Sequence, residues 1–556
     1  MAIDLTPEQR ELGRQNYRRT VEAMSVNRRD FLKGTAAGAG AVAVISAAAY
    51  YGYQSVNGKP VKAALIGGGD EGGVLVGEHN PDFLQFIAVC DIRPSNMRRI
   101  FDGDPAAIAL RKGFKKIYGN EANNIKKYTD YKAMLRDNKD IEAVVIAVPL
   151  HLHAPIAIDV MNIGAERKKP IHVLCEKLMA WNVKQCKQMI KTAKETGSIL
   201  SIGHQRHYSL LYAHAADVIH AGILGDIRHI RALWHRNNTW DFINDPTKGE
   251  LVKSIVQPKY RDGWFNPVYA EDYEALKDHI KDYHYDSVEQ LIRWRLYTKT
   301  GGGLMAELGS HQLDACSIFL GKKHPLAVTG VGGKYFYGPN RNDRDAEDHV
   351  FVTYEFPGPN FPADPNDLVV VTYSSISTNQ FENYGECVMG SRGTMLVERE
   401  QEVMLYTEKD PNKKVAGDPK SMAVTVTSTA GGKPALESSS TWGPGGGGAP
   451  TAAGGAPAIA GAGGPISRGY REEMEDFAYC VRLWEAKQGY AKKDGKYEQR
   501  LPRCHGEVAM ADAIVALTAN LAMKKRERIE FKPGWFDAEK MNDLPDGETV
   551  PTVPVA

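Results

Sequence analysis

The sequence predicts a two-domain α/β protein: an N-terminal Rossmann-type, doubly wound parallel sheet, then an α+β domain with an open, mainly antiparallel sheet. Three observations predict it. A short buried strand within residues 59–66 runs directly into a glycine-rich turn. Strands and helices then alternate as far as residue 206, the pattern of a parallel sheet. Beyond that point, alternating apolar and polar segments take over. A length of 556 residues also exceeds what one hydrophobic core supports.

The chain divides into a leader and linker (1–58), the parallel-sheet domain (59–206), the α+β domain (207–537) and a tail (538–556). Lys and Arg number 69 against 68 Asp and Glu, which argues against a nucleic-acid binder, since phosphate neutralisation needs a basic excess. The seven cysteines are scattered, odd in number and without metal-type spacing, so they read as small buried hydrophobes.

In the leader, Asn27-Arg28-Arg29-Asp30-Phe31-Leu32-Lys33 precedes a weakly apolar stretch from Gly34 to Ala49. Paired arginines followed by Phe-Leu-Lys and a mild apolar run resemble a twin-arginine export signal. The stretch is too short and glycine-rich for a membrane span, which needs roughly 20 apolar residues. Ala47-Ala48-Ala49 offers a small-residue cleavage site, with retention as an anchor the other outcome. Export machinery is thus an expected partner, and the periplasm or another extracytoplasmic space the expected location. The route carries folded proteins, which suits an enzyme that captures its cofactor in the cytoplasm.

The glycines Gly67, Gly69 and Gly72 fit G-x-G-x-x-G, with Asp70 inside the turn. Such glycines permit a tight turn, close approach to a pyrophosphate and close strand–helix packing. A second strand, Phe86 to Cys90, ends in Asp91, placed to hydrogen-bond ribose hydroxyls and so favouring NAD. Arg93 and Arg98 follow, and either suits a 2′-phosphate, so NADP stays open. A strand from Ala143 to Val148 delivers Pro149, His151 and His153 to the sheet's ligand-binding edge. A further strand leads to Glu176-Lys177-Leu178, and another to His204, Gln205 and Arg206, read as substrate-binding or structural. No metal is expected, because His151 and His153 have no Cys or carboxylate cluster beside them.

Together and in this order, these motifs resemble the glucose-fructose oxidoreductase/inositol dehydrogenase/MocA family, over residues 61–537. The resemblance implies that Lys177 reaches both nicotinamide ribose and substrate hydroxyl, although Leu178 stands where proline is usual. Gly301 to Asp314 is similar to the family's substrate-site segment, its Asp-x-x-x-His matched by Glu307 and His311. The i, i+4 spacing puts both side chains on one helix face. His311 is then the candidate proton acceptor, Glu307 an orienting carboxylate and Asp314 the residue that fixes the imidazole.

Segments 227–233, 326–331, 349–356, 368–375 and 384–388 read as β strands of the family's open sheet, implying a homo-oligomer through that sheet. Aromatic residues between them (Trp240, Tyr260, Trp264, Trp294) suit sugar faces. Residues 443–465 are a Gly/Ala/Pro-rich insertion, and 469–484 and 506–524 read as amphipathic helices. The expected activity is hydride transfer between a sugar or polyol and a tightly held nicotinamide. Two alternatives stand beside it: an NAD-dependent glycosidase working by transient oxidation and elimination, and a non-catalytic sugar-binding protein.

Overall fold

The computed structural model describes residues 5–32, 51, 59–239, 262–338, 344–408, 423–428, 434–439 and 468–548. The apolar stretch Gly34 to Ala49, Trp240, Tyr260 and the 443–465 insertion lie outside them. So do the side chains of Arg28 and Arg29.

Six strands form the first sheet: β1 (Val61–Ile66), β2 (Leu84–Cys90), β3 (Lys126–Tyr128), β4 (Ala143–Ile146), β5 (His172–Glu176) and β6 (Leu200–Gly203). All pairings are parallel, in the order β3-β2-β1-β4-β5-β6. Covered on both faces, β1, β4 and β5 are buried along nearly their whole length rather than at alternate residues. The strand order reverses between β1 and β4, which opens a crevice at their carboxyl ends.

The second sheet is built on β7 (Ile227–His235), β8 (Ala327–Gly333), β9 (His349–Pro357), β10 (Leu368–Ile376), β11 (Tyr384–Gly390), β12 (Gly393–Glu398) and β13 (Glu402–Thr407). Its order is β13-β12-β11-β7-β10-β9-β8, extended by Ile529–Glu530, and the β7–β10 pair is its parallel exception. Alternation along β9 and β10 sends Val350, Val352, Val371 and Tyr373 into the core. The outer face leaves Val331 and Phe351 exposed.

Helices tie the layers together. They include α1 (Pro7–Leu32), α2 (Asp70–Glu78), α3 (Val183–Thr196), α4 (Ser310–Phe319), α5 (Tyr470–Leu483) and α6 (Gly506–Lys525). The dinucleotide domain is not closed at residue 206: α5 supplies Met474, Phe477 and Cys480 to the core under β1 and β2. The 67% burial of its apolar stretch marks α6 as a core helix, packed between α3, α4 and β8. The tail also docks, with Lys187 of α3 donating to the carbonyls of Gly534, Lys540 and Asp543.

Residues ahead of the paired arginines are part of the fold. In α1, Asn16 donates to the Leu405 carbonyl of edge strand β13, and Arg10 and Arg14 pair with Glu398 and Glu402. Tyr17 and Val21 enter the second-domain core. A helix laid over a strand edge satisfies groups that would otherwise template aggregation.

Candidate active site

A cavity of about 750 Å³ lies along the carboxyl ends of β1, β2, β4 and β5, walled on its far side by Tyr283, Trp294 and Arg295. The glycine turn shapes one end. Gly67 has φ +98°, and a Cβ there would lie 2.1 Å from the Ala147 carbonyl oxygen. A Cβ at Gly72 would lie 2.1 Å from the Gly67 oxygen. Gly69 begins α2 with no side-chain cap, so the helix N-terminus faces the cavity without a carboxylate of its own capping it.

Asp70 sits in that first turn but is matched by Arg99 and Arg111, each at 2.8 Å. Burial alone would raise its carboxyl; the two guanidinium groups hold it below the usual range. Asp91 accepts from the N–H groups of Gly68 and Arg93, both at 2.7 Å, and from Asn96 at 3.1 Å. Burial nevertheless pushes its carboxyl up. Glycines that leave room for a pyrophosphate, an open helix N-terminus and an acid at the β2 end fit a dinucleotide. Gly67, Gly69, Gly72 and Asp91 would hold it.

At the other end of the cavity, Lys177 follows β5 and its Nζ donates to the backbone carbonyl of Glu307 at 2.9 Å. The Lys177–Leu178 peptide is cis. Glu176, beside it, and Glu71 are both pushed up by burial. Residues Met305–Gly309 form a π-helical turn, so the simple i, i+4 helix expected for Glu307 and His311 is replaced by a wider one, with α4 starting at Ser310. The longer Glu307 side chain reaches Arg295, whose Nε donates to it at 2.7 Å. Against burial, Arg295 and Lys177 hold the Glu307 carboxyl low.

Trp234 packs against the His311 ring at 5.5 Å between centroids, and neither ring nitrogen is hydrogen-bonded among the described residues. Burial, then the charges of Lys177 and Arg206, keep the imidazole well below its usual pKa, so it is neutral and basic in form. The expected support from Asp314 is corrected: that carboxylate pairs with His207 Nε2 at 2.7 Å and Lys322 Nζ at 2.9 Å instead.

Other expected site residues are placed differently. Arg206 is buried, its guanidinium engaged by Glu386, Glu400 and the His311 carbonyl, so it supports the His311 segment from behind rather than facing a ligand. His204 is buried 3.8 Å from Asp314, and burial lowers its pKa to about 4. Gln205 is also buried. His204, Asp314 and Asp512 have a metal-like spacing, but the Lys322 ammonium contacts both carboxylates. Pro149 and His153 line the cavity, yet both His153 nitrogens face backbone carbonyls, of Leu178 and Val148. His151 instead packs behind the wall, on the Thr300 carbonyl and Tyr285. Arg93 is spent on Asp272, and Arg98 on Glu271.

Three residues that sequence reasoning missed are prominent. Arg295 follows Trp294, which was singled out for its ring, but an arginine outside any motif carries no signal of its own. The stacked pair Trp234 and Tyr384, 4.6 Å apart, comes from two strands 150 residues distant in sequence and joined only by sheet pairing.

The fold and cleft define a dinucleotide-binding protein with a second, sheet-based domain closing over the ligand edge. Residues 61–204 match the oxidoreductase family with NAD-binding Rossmann fold, 279–396 match the GFO/IDH/MocA C-terminal domain, and 25–44 match a TAT (twin-arginine translocation) pathway signal sequence. The chain belongs to the Gfo/Idh/MocA oxidoreductase family. It is 28% identical over 214 residues to a glycosyl hydrolase family 109 protein of Stenotrophomonas maltophilia, covering 37% of this chain and 42% of that one. It is 29% identical over 143 residues to inositol 2-dehydrogenase of Salmonella typhimurium, covering 26% and 35%. The chain thus spans less than half the length of these curated relatives. An inositol dehydrogenase homologue of Azotobacter vinelandii, solved with NADH and myo-inositol, shares the fold at a TM-score of 0.52 and 14% identity, over 85% of this chain and 98% of that one.

Proposed function

We propose that this protein is an exported, NAD-dependent oxidoreductase acting on a CH–OH group of a sugar or polyol. The observation that carries the reading is Lys177 joined to the Glu307 carbonyl in the lining of the cleft, with His311 kept neutral by burial and by the nearby charge of Lys177. Gly67, Gly69, Gly72, Asp91, Pro149 and Glu176 are assigned to the cofactor's cradle. When bound, the nicotinamide supplies a two-electron hydride acceptor. His311 accepts the hydroxyl proton, Lys177 holds the hydroxyl oxygen by hydrogen bonding, and Arg295 fixes Glu307 so that Lys177 is positioned over its carbonyl. NAD is favoured over NADP because Asp91 occupies the β2 end, and Arg93 and Arg98 are engaged by Asp272 and Glu271. Outside the cytoplasm free NADH is not recycled, so the cofactor is held through the cycle and reoxidised by a second substrate. Self-association through the outer sheet face is supported by the exposed Val331 and Phe351.

The test is reduction of the bound cofactor, followed at its near-ultraviolet absorbance, across a panel of aldoses and cyclitols. Turnover lost in both Lys177→Met and His311→Ala supports the reading, and turnover retained by both contradicts it. A second reading, redox-neutral cleavage of a glycoside, is favoured by Glu71 and Glu176, whose raised carboxyls next to Lys177 hold protons a leaving group needs. Release of nitrophenol from chromogenic glycosides without added nicotinamide distinguishes it.

A further inference from the structure

Arginines in and around the cleft are matched by acids, with one difference just outside its lining. Arg295 donates to Glu307, Arg468 to Glu400 and Arg93 to Asp272. Arg236, one residue beyond β7, has no hydrogen-bond acceptor for its guanidinium among the described residues. It lies half-buried over the Trp234 ring, 5.1 Å from the centroid. That same indole touches His311 and stacks on Tyr384. Its backbone is fixed, the N–H donating to Ile376 at 2.8 Å, so the side chain starts from a rigid strand end.

A half-buried guanidinium with no hydrogen-bonded counter-charge is partly desolvated, and an indole face compensates only part of that cost. Burial and the neighbouring Arg295 both press on the Arg236 charge, and the Glu307 carboxylate, already paired with Arg295, offsets them only in part. An anion arriving with the substrate relieves both. The planar fork of arginine matches a carboxylate with two parallel hydrogen bonds.

We infer that the substrate is an acidic sugar, its carboxylate held by Arg236 against Trp234 while a ring hydroxyl lies towards His311 and Lys177. The inference rests on the oxidoreductase reading and narrows its substrate class. Arg236 is then the residue that separates acidic from neutral sugars, since a site built to pair a charge rejects a ligand lacking it.

The experiment is calorimetric titration of the NADH-loaded full-length protein with glucuronate, glucose and glucose 6-phosphate, on the wild type and on Arg236→Gln. Glucuronate binding roughly tenfold or more tighter than glucose is expected, from one charge-assisted pair. The ratio falls towards one in Arg236→Gln, while NADH affinity is retained. Glucuronate binding no tighter than glucose, or a preference unchanged in Arg236→Gln, overturns the inference. Glucose 6-phosphate binding more tightly than glucuronate overturns the carboxylate assignment. A protein that takes up no NADH fails one step earlier, at the oxidoreductase reading itself.

Discussion

At the residue scale the account turns on two side chains, both visible in the sequence, and on their surroundings, which were not. Lys177 and His311 could be singled out because they sit in short motifs whose order was informative. Removing the Lys177 ammonium should lower turnover by roughly 10²–10⁴-fold, the range for a positioned acid–base partner, with NADH binding retained by fluorescence titration. His311 is held neutral by burial and by Lys177. Its basic form therefore persists as pH falls through the ordinary histidine range near 6.5, and the acid limb of kcat/KM should lie below that value. A limb at 6.5 or above would contradict the burial argument. Asp91→Ala should weaken NAD roughly tenfold, with direct binding as the check. The partner of His311 was misread because Asp314 lies one turn away in sequence, whereas Lys322 and His207 compete for it in space.

At the element scale, the sequence pattern located the strands of both sheets well where apolar runs or alternation were clean, as in β1, β4, β9 and β10. The β12–β13 hairpin escaped because its residues mix Thr, Met and Glu without clear alternation. Which domain a helix serves was also hidden. Amphipathicity predicts that α5 is buried but cannot say that its partners are β1 and β2, almost 400 residues earlier. Phe477→Ala should therefore destabilise the dinucleotide domain by about 3–5 kcal/mol, measured by chemical denaturation. A similar coupling concerns α1. Deleting residues 5–24 uncovers the β13 edge and removes Tyr17 and Val21 from the core. The truncated protein should melt at a lower temperature and aggregate more readily than the full chain; identical melting would show that α1 contributes nothing.

Across the whole molecule, burial of neutral histidines links stability to pH. His79, His151, His172, His204 and His505 are each lowered to about 4 by burial. Between about pH 6.5 and 4 the unfolded chain therefore binds more protons than the folded one, so this stability is present above 6.5 and is lost as pH falls. Thermal melts should drop steeply over that interval, and a flat profile would contradict it. The plan of a parallel, dinucleotide-type sheet followed by a mainly antiparallel one was legible from the order of the motifs. The closure of one domain by a helix of the other was not, since long-range packing leaves no local mark. The central claim is that this fold holds a nicotinamide dinucleotide for chemistry on a sugar or polyol. It is tested most directly by purifying the protein without added nicotinamide, denaturing it and identifying any released dinucleotide by mass spectrometry. The account predicts near-stoichiometric NAD; an empty protein that also fails to take up NAD or NADP would contradict it.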